Sequence, residues 1–281
     1  MYIVDLHSHS NVSDGILNPD ELITYAAEKK VNMLALTDHD DIAGLEIAKK
    51  KSAELGIQFI NGVEISVSWR NRTIHMVGLD FDHKNKDLAQ GLEKIREGRI
   101  ERAKKIAYGL AMVGIPNAYD EAKKFASHQV IGRVHFAQFL VSKGFSKNVK
   151  TVFNKYMTKG KPGYVDHQWA SLEDAVNWIN NAGGKAVIAH PGRYDMGSKL
   201  YPQFFQEFKE LGGAGIEVIS GSQSLNQIDY FADYAERHEL YGSVGSDFHG
   251  YGVSHRDLGP TYQLPDKVKP IWSQFFNHKL I

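Results

Sequence analysis

Short apolar runs that each hand over histidines or carboxylates just before a helix recur along this chain from its first residues, and this rhythm limits the fold more than any other feature. Tyr2 to Leu6 reads as a strand ending in Asp5-Leu6-His7-Ser8-His9-Ser10. Successive strand side chains alternate, so His7, His9 and Asp5 share one side, where the two imidazoles are close enough to hold one metal ion. Alone, the pair reads equally well as two surface histidines. Asp14 follows, and then Met33-Leu34-Ala35-Leu36 delivers Thr37-Asp38-His39-Asp40. Gln58 to Ile65 carries Glu64, and Thr73 to Leu79 carries His75. Lys185 to Ala189 delivers His190-Pro191-Gly192-Arg193, and Tyr241 to Val244 delivers Gly245-Ser246-Asp247-Phe248-His249, with Ile216 to Ile219 as a further strand. Between them Asn18-Pro19-Asp20-Glu21 opens a helix as cap, first-turn proline and capping-box acid. Ile42 to Leu55 forms a second helix, and Ser171 caps another that ends at Gly183-Gly184. Such repetition predicts an α/β protein of parallel strands with crossover helices, its reactive groups at the C-terminal strand ends.

The rhythm breaks at about Asp87. A long charged helix to Met112 leads through Gly114-Ile115-Pro116 into some 50 mainly helical residues, and Lys159-Gly160-Lys161-Pro162-Gly163 reads as the hinge back. A connection of that length with its own apolar periodicity is a subdomain rather than a loop. We therefore expect residues 1–97 and 169–281 to form a barrel, and 98–168 to form a helical cap packed over its mouth. From Pro260 onward the chain reads as a tail whose Trp272, Phe275 and Phe276 dock on the barrel.

The 281 residues, 42% of them hydrophobic, can bury a core of that size. The 33 basic and 33 acidic side chains cancel, so no global positive field draws the chain to membranes or long nucleic acid. Cysteine is absent, which leaves histidine and carboxylate as metal ligands and fits manganese, iron or zinc. The first residues carry no charged and apolar leader, and no apolar run approaches a membrane span, so a cytoplasmic protein is expected.

Taken together, Asp5-Leu6-His7-Ser8-His9-Ser10 with Asp14-Gly15, Thr37-Asp38-His39-Asp40, Gly62-Val63-Glu64, His75, Ala189-His190-Pro191-Gly192-Arg193-Tyr194 and Gly245-Ser246-Asp247-Phe248-His249 resemble the motifs of the polymerase and histidinol phosphatase (PHP) family. Within it, Ile131-Gly132-Arg133-Val134-His135-Phe136-Ala137 and Lys161-Pro162-Gly163-Tyr164-Val165 resemble the branch of nucleoside 3′,5′-bisphosphate phosphatases and 5′-3′ exoribonucleases. Val134 stands where that branch has proline. The resemblance implies a distorted (β/α)7 barrel and a site for two or three divalent ions, manganese first, iron or zinc as alternatives. Carried over by position, His7, His9, Glu64 and Asp247 would hold one ion and Asp14, His39 and His249 a second. Glu64, His75 and His190 would hold a third, with Glu64 bridging through its two oxygens.

Clustered cations roughly 3.5–4 Å apart activate a shared water and neutralise phosphoryl oxygens, so phosphate ester hydrolysis is the expected reaction, with Glu64, His190 and His249 as catalytic groups. Arg133 and Arg193 offer planar forks for phosphate, and His135 or Lys161 a further donor. The expected substrates are small nucleotides or short RNA. A histidinol-phosphate type monoesterase and a non-catalytic, metal-binding regulatory module are the alternatives. Asp5, Asp38 and Asp40 are expected to orient ligand imidazoles, or in the case of Asp40 to cap the following helix. His83, His128, His167, His238, His255 and His278 read as surface residues. The aromatic residues around 201 to 208 and 230 to 234 read as core.

Overall fold

A computed structural model describes residues 2–126, 131–254, 256–259 and 262–275. His128, His255, Phe276 and His278 lie outside them. In chain order the elements are β1 (Val4–Asp5), α1 (Pro19–Glu28), β2 (Met33–Leu36), α2 (Leu45–Leu55), β3 (Gln58–Trp69), β4 (Arg72–Leu79) and α3 (Lys86–Ala111). They continue with α4 (Ala118–Lys123), α5 (Arg133–Ser142), α6 (Val149–Val152, running on in a wider turn to Met157), β5 (Ala170–Ser171) and α7 (Leu172–Asn181). The last set is β6 (Lys185–Ile188), α8 (Gly197–Glu210), β7 (Gly215–Ile219), α9 (Leu225–Arg237) and β8 (Tyr241–Val244).

Seven strands follow one another around the sheet as β1-β2-β3-β4-β6-β7-β8, with β5 paired to β3 off that path. The Leu6 amide donates to the Val244 carbonyl at 2.9 Å and Ser8 bridges Phe248, so the first and last strands nearly close an α/β barrel. Parallel strands buried on both faces are apolar throughout, and β2, with all four residues buried, is such a strand. One expectation fails here. β4 runs antiparallel to both β3 and β6, because β3 and β4 are joined by a two-residue hairpin turn rather than a crossover helix. Both turn residues, Arg70 (φ 44°) and Asn71 (φ 62°), are left-handed, as the tight turn that matches strand twist requires. Glu64 and His75 consequently project from strand interiors and not from strand ends.

The helix signals are realised: Asn18 and Glu21 form the capping box of α1, and Ser171 caps α7 by accepting from the Asp174 amide. The barrel core runs from Val4 to Phe275 and includes Phe204, Phe205, Phe208, Phe231 and Tyr234, with Trp272 packed against it, whereas Tyr230 of the same group is exposed. A second apolar cluster, from Ala103 to Met157, is built from α3 to α6. Gly109 of α3 meets the Pro162 carbonyl so closely that a Cβ has no room. Among the described residues no helix is long and apolar enough to cross a membrane.

Candidate metal centre

The barrel brings the nine expected ligands to one rim. His39 bridges to Glu64 across β2 and β3, where the Asp40 amide donates to the Glu64 carbonyl and the Glu64 amide to the Asp38 carbonyl. The Asp247 amide donates to the His7 carbonyl, which sets the last loop against the first. Asp40 (φ 53°), His190 (φ 25°) and Asp247 (φ 55°) all have left-handed backbone. Non-glycine residues adopt that conformation at a cost, and it collects where a site dictates side-chain direction.

Three overlapping groups of ligand atoms result: His7, His9, Glu64 and Asp247; His9, Asp14, His39 and His249; and His39, Glu64 and His75. In the first, His7 Nε2 lies 3.0 Å from His9 Nε2, 3.2 Å from Glu64 Oε2 and 3.5 Å from Asp247 Oδ1, and His9 Nε2 lies 3.2 Å from the same Asp247 oxygen. In the second, Asp14 stands 3.3 Å from His249 Nε2 and 3.8 Å from His39 Nε2. The third differs from the set implied by the resemblance in containing His39. His190 is nevertheless adjacent, its Nε2 and His75 Nδ1 each 2.8 Å from Glu64 Oε1.

These distances fit cations. Ligands about 2.0–2.2 Å from one ion stand roughly 3.0–3.5 Å from each other. Glu64 Oε2 lies within 3.3 Å of His7, His9 and His39 nitrogens, yet makes no hydrogen bond of proper geometry. A buried carboxylate oxygen left in that condition, beside two imidazole nitrogens that face each other, fits the donor set of a metal ion.

Electrostatics agree. Burial opposes charge on Glu64 and Asp247, but the surrounding histidines outweigh it and hold both carboxyls well below the usual range. Asp14 is lowered likewise, chiefly by His249 and His39. Conversely burial lowers His9, but Asp247 and Glu64 overcome it and push the imidazole up to about 10. Burial wins at His39, which falls to about 3.

The carboxylates expected to orient imidazoles do something else. Asp5 accepts from the Ser246 and Gly259 amides, Asp38 accepts from Ser10 and Ser13, and Asp40 accepts from Ser66 and Arg99. Each carboxylate therefore fixes the loops that carry ligands, and Asp40 does not cap α2. Glu217 is the group the sequence reading missed. From the apolar strand β7 its Oε1 meets His7 Nδ1 at 2.5 Å, and its other oxygen accepts from the His190 amide. His249 Nδ1 is taken in the same way by the Asp247 carbonyl at 2.9 Å.

A cleft of about 630 Å³ opens beside the cluster, lined by Asp14, His39, His75 and His249 and by six arginines at positions 70, 72, 99, 102, 133 and 193. Arg133 is exposed to it with its guanidinium 5.5 Å from the Phe153 ring. Arg193 forms an ion pair with Asp247 Oδ2 at 2.5 Å and donates to Ser222 Oγ. Arg102, also unforeseen, has a buried Nε without a partner, and burial together with Arg133 and Arg99 lowers it to about 10. His135 is buried and its Nδ1 accepts the Gly132 amide of its own helix, while exposed Lys161 stands outside the lining. His83, His167 and His238 are half-buried rather than surface residues: His83 pairs with Glu46, His167 meets Trp169 on the cleft, and His238 packs on Phe205.

A family model described as "PHP domain" matches residues 5–186. The 3′,5′-nucleoside bisphosphate phosphatase of Chromobacterium violaceum is 53% identical over 272 residues, spanning 96% of this chain and 95% of that protein. The 5′-3′ exoribonuclease of Haemophilus influenzae is 42% identical over 271 residues, spanning 96% and 98%. A solved amidohydrolase from Chromobacterium violaceum, with bound sulfate and no metal, superposes with a TM-score of 0.92 at 52% identity, covering 96% of this chain and 95% of that one. Matched along so much of its length by a family model and by full-length relatives, the chain belongs to the PHP domain family.

Proposed function

We propose that this protein is a metal-dependent phosphoesterase that hydrolyses nucleoside 3′,5′-bisphosphates and 5′-phosphorylated short oligoribonucleotides. The observation that carries the reading is the convergence of nine ligand-type side chains beside a cleft into which Arg102, Arg133 and Arg193 also face. His7, His9, Glu64 and Asp247 would hold one divalent ion, and Asp14, His39 and His249 a second. Glu64, His75 and His190 would hold a third, with manganese the first choice. Ions bound there supply Lewis-acid polarisation of the phosphoryl group and a nucleophile from water at neutral pH. The chain's own part is placement. Arg102 and Arg133, on α3 and α5 of the cap spanning 98–168, clamp the terminal phosphate, and Arg193 steers the scissile phosphate toward Asp247 and the cluster. Glu64 links two of the ligand groups through its separate oxygens.

The names of the two relatives support both substrate types. A regulatory module that has lost its chemistry would lack ligands, and every expected position is filled. The test is a panel with manganese: adenosine 3′,5′-bisphosphate, a 5′-phosphorylated pentaribonucleotide and histidinol phosphate. Phosphate release from the first and stepwise mononucleotide release from the second are expected. Preferential turnover of histidinol phosphate rejects the proposal.

A further inference from the structure

We infer that the tip of the β3–β4 hairpin, through Arg70 and Arg72, is a binding site for the phosphates of an RNA strand downstream of the bond being cut. This inference rests on the oligoribonucleotide reading above. The cleft beside the metal cluster does not end at the cluster. Arg70, Asn71, Arg72, Thr73 and Arg193 line it and also line a second cleft of about 610 Å³, completed by Tyr194 and Asp195. The shared wall makes the two spaces contiguous, with Arg193 at the junction and the cap arginines 99, 102 and 133 confined to the first. A strand whose 5′-phosphate is held at the cap and whose scissile phosphate lies at the cluster therefore leaves past Arg193 along the hairpin.

The hairpin's own chemistry favours this role. Position 70 is the first central residue of a turn that prefers asparagine, aspartate or glycine, yet an arginine with φ 44° stands there. A side chain kept where the backbone penalises it points to function at that spot. Its guanidinium lies 4.7 Å from the Trp69 ring and reaches Gln203 and Glu207 of α8, so it is held at the cleft edge in a fixed direction. Glu207 at 3.8 Å offsets part of its charge, and among the described residues Asp195 is the one acidic residue lining the second cleft. Arg72, half-buried, donates to the Arg70 carbonyl and keeps the pair together. The two guanidiniums offer charged donors of the kind that hold backbone phosphates.

The double substitution Arg70→Asn with Arg72→Gln tests the site while keeping the turn, because asparagine is favoured at the first position. On a 5′-phosphorylated pentaribonucleotide kcat/KM is expected to fall about tenfold or more, with adenosine 3′,5′-bisphosphate changed less than twofold. Anisotropy of a labelled phosphorothioate pentamer should show weaker binding, with a slope of log Kd against log salt shallower by roughly 1.4 for two lost phosphate contacts. Equal losses on both substrates, or unchanged pentamer binding, overturn the site. Weakened pentamer binding with neither substrate hydrolysed by the unaltered protein supports the site and overturns the catalytic reading instead.

Discussion

Glu217 meets His7 Nδ1 at 2.5 Å and so turns the other imidazole nitrogen toward His9, Glu64 and Asp247. Its second oxygen holds the His190 amide, so one carboxylate on β7 sets two ligand positions. Carboxylates in this position fix the tautomer of a metal-bound imidazole and raise its basicity.

Glu217→Gln should therefore weaken manganese binding by about 10–100-fold while leaving the fold intact. A glutamine amide donating to Nδ1 forces the ring proton onto Nε2, where the ion needs a lone pair. Calorimetric titration with manganese, alongside circular dichroism, checks this. Unchanged affinity would show that Glu217 has no part in orienting His7.

Glu64→Gln should lower kcat/KM by roughly a thousandfold or more, about 4 kcal/mol of transition-state stabilisation. Both oxygens are engaged, Oε1 with His75 and His190 and Oε2 beside His7, His9 and His39, and an amide nitrogen cannot serve either set of ions. Metal content per chain should fall with activity. Full metal loading with full activity would remove Glu64 from the centre.

Arg102→Ala should raise KM for adenosine 3′,5′-bisphosphate by about 10–100-fold, the range of a lost charged hydrogen bond, with kcat within about threefold. Its buried Nε has no hydrogen-bond partner, and its guanidinium faces the cleft 5.1 Å from the Trp169 ring with Arg133 and Arg99 near it, where a phosphate would offset the crowded positive charge. A lysine there lacks the planar fork and should recover little. A fall in kcat at constant KM would place Arg102 elsewhere in the reaction.

For protein stripped of metal, stability should fall on both sides of neutrality. His9 is raised from 6.5 to about 10, burial being outweighed by Asp247 and Glu64, so its contribution is complete below 6.5 and is lost as pH rises through about 10. His39 is lowered by burial to about 3, so its contribution is present above 6.5 and is lost as pH falls through about 3. Denaturant midpoints from pH 4 to pH 10 measure this, and His9→Gln should flatten the alkaline limb. At neutral pH, metal binding must displace the His9 proton, so manganese affinity should rise with pH.

The candidate ligands were legible because their spacing is local: His-x-His, Asp-His-Asp and Ser-Asp-Phe-His each place donors at strand or loop positions the sequence itself sets. What stayed hidden was decided across the sheet. The alternation of Thr73 to Leu79 identifies a strand but not its direction, which the turn at Arg70 and Asn71 fixes without the Asn-Gly signal. Glu217 carried one signal, a carboxylate inside the buried strand Gly215–Ile219, where a lone charge needs a partner. Arg99 and Arg102, three apart on a long charged helix, look like a solvated face until α3 is laid over the cleft. Asp5, Asp38 and Asp40 were found in the right place, but backbone amides, hydroxyls and Arg99 claim them before any imidazole does.

Gly245→Ala should cost about 1–3 kcal/mol and reduce metal binding together. A Cβ at Gly245 would press into His7 Cβ well inside van der Waals contact and lie 3.2 Å from Glu217 Oε1, so relief requires moving the ligand or the carboxylate that orients it. Because Leu6 and Val244 are tied by a backbone hydrogen bond at the closing seam, the strand cannot shift aside without opening the barrel. Thermal unfolding with and without manganese separates the two effects: the melting temperature should drop in both, and the increment that manganese adds should shrink. A lowered melting temperature with an undiminished manganese increment would mean that the crowding is absorbed away from His7.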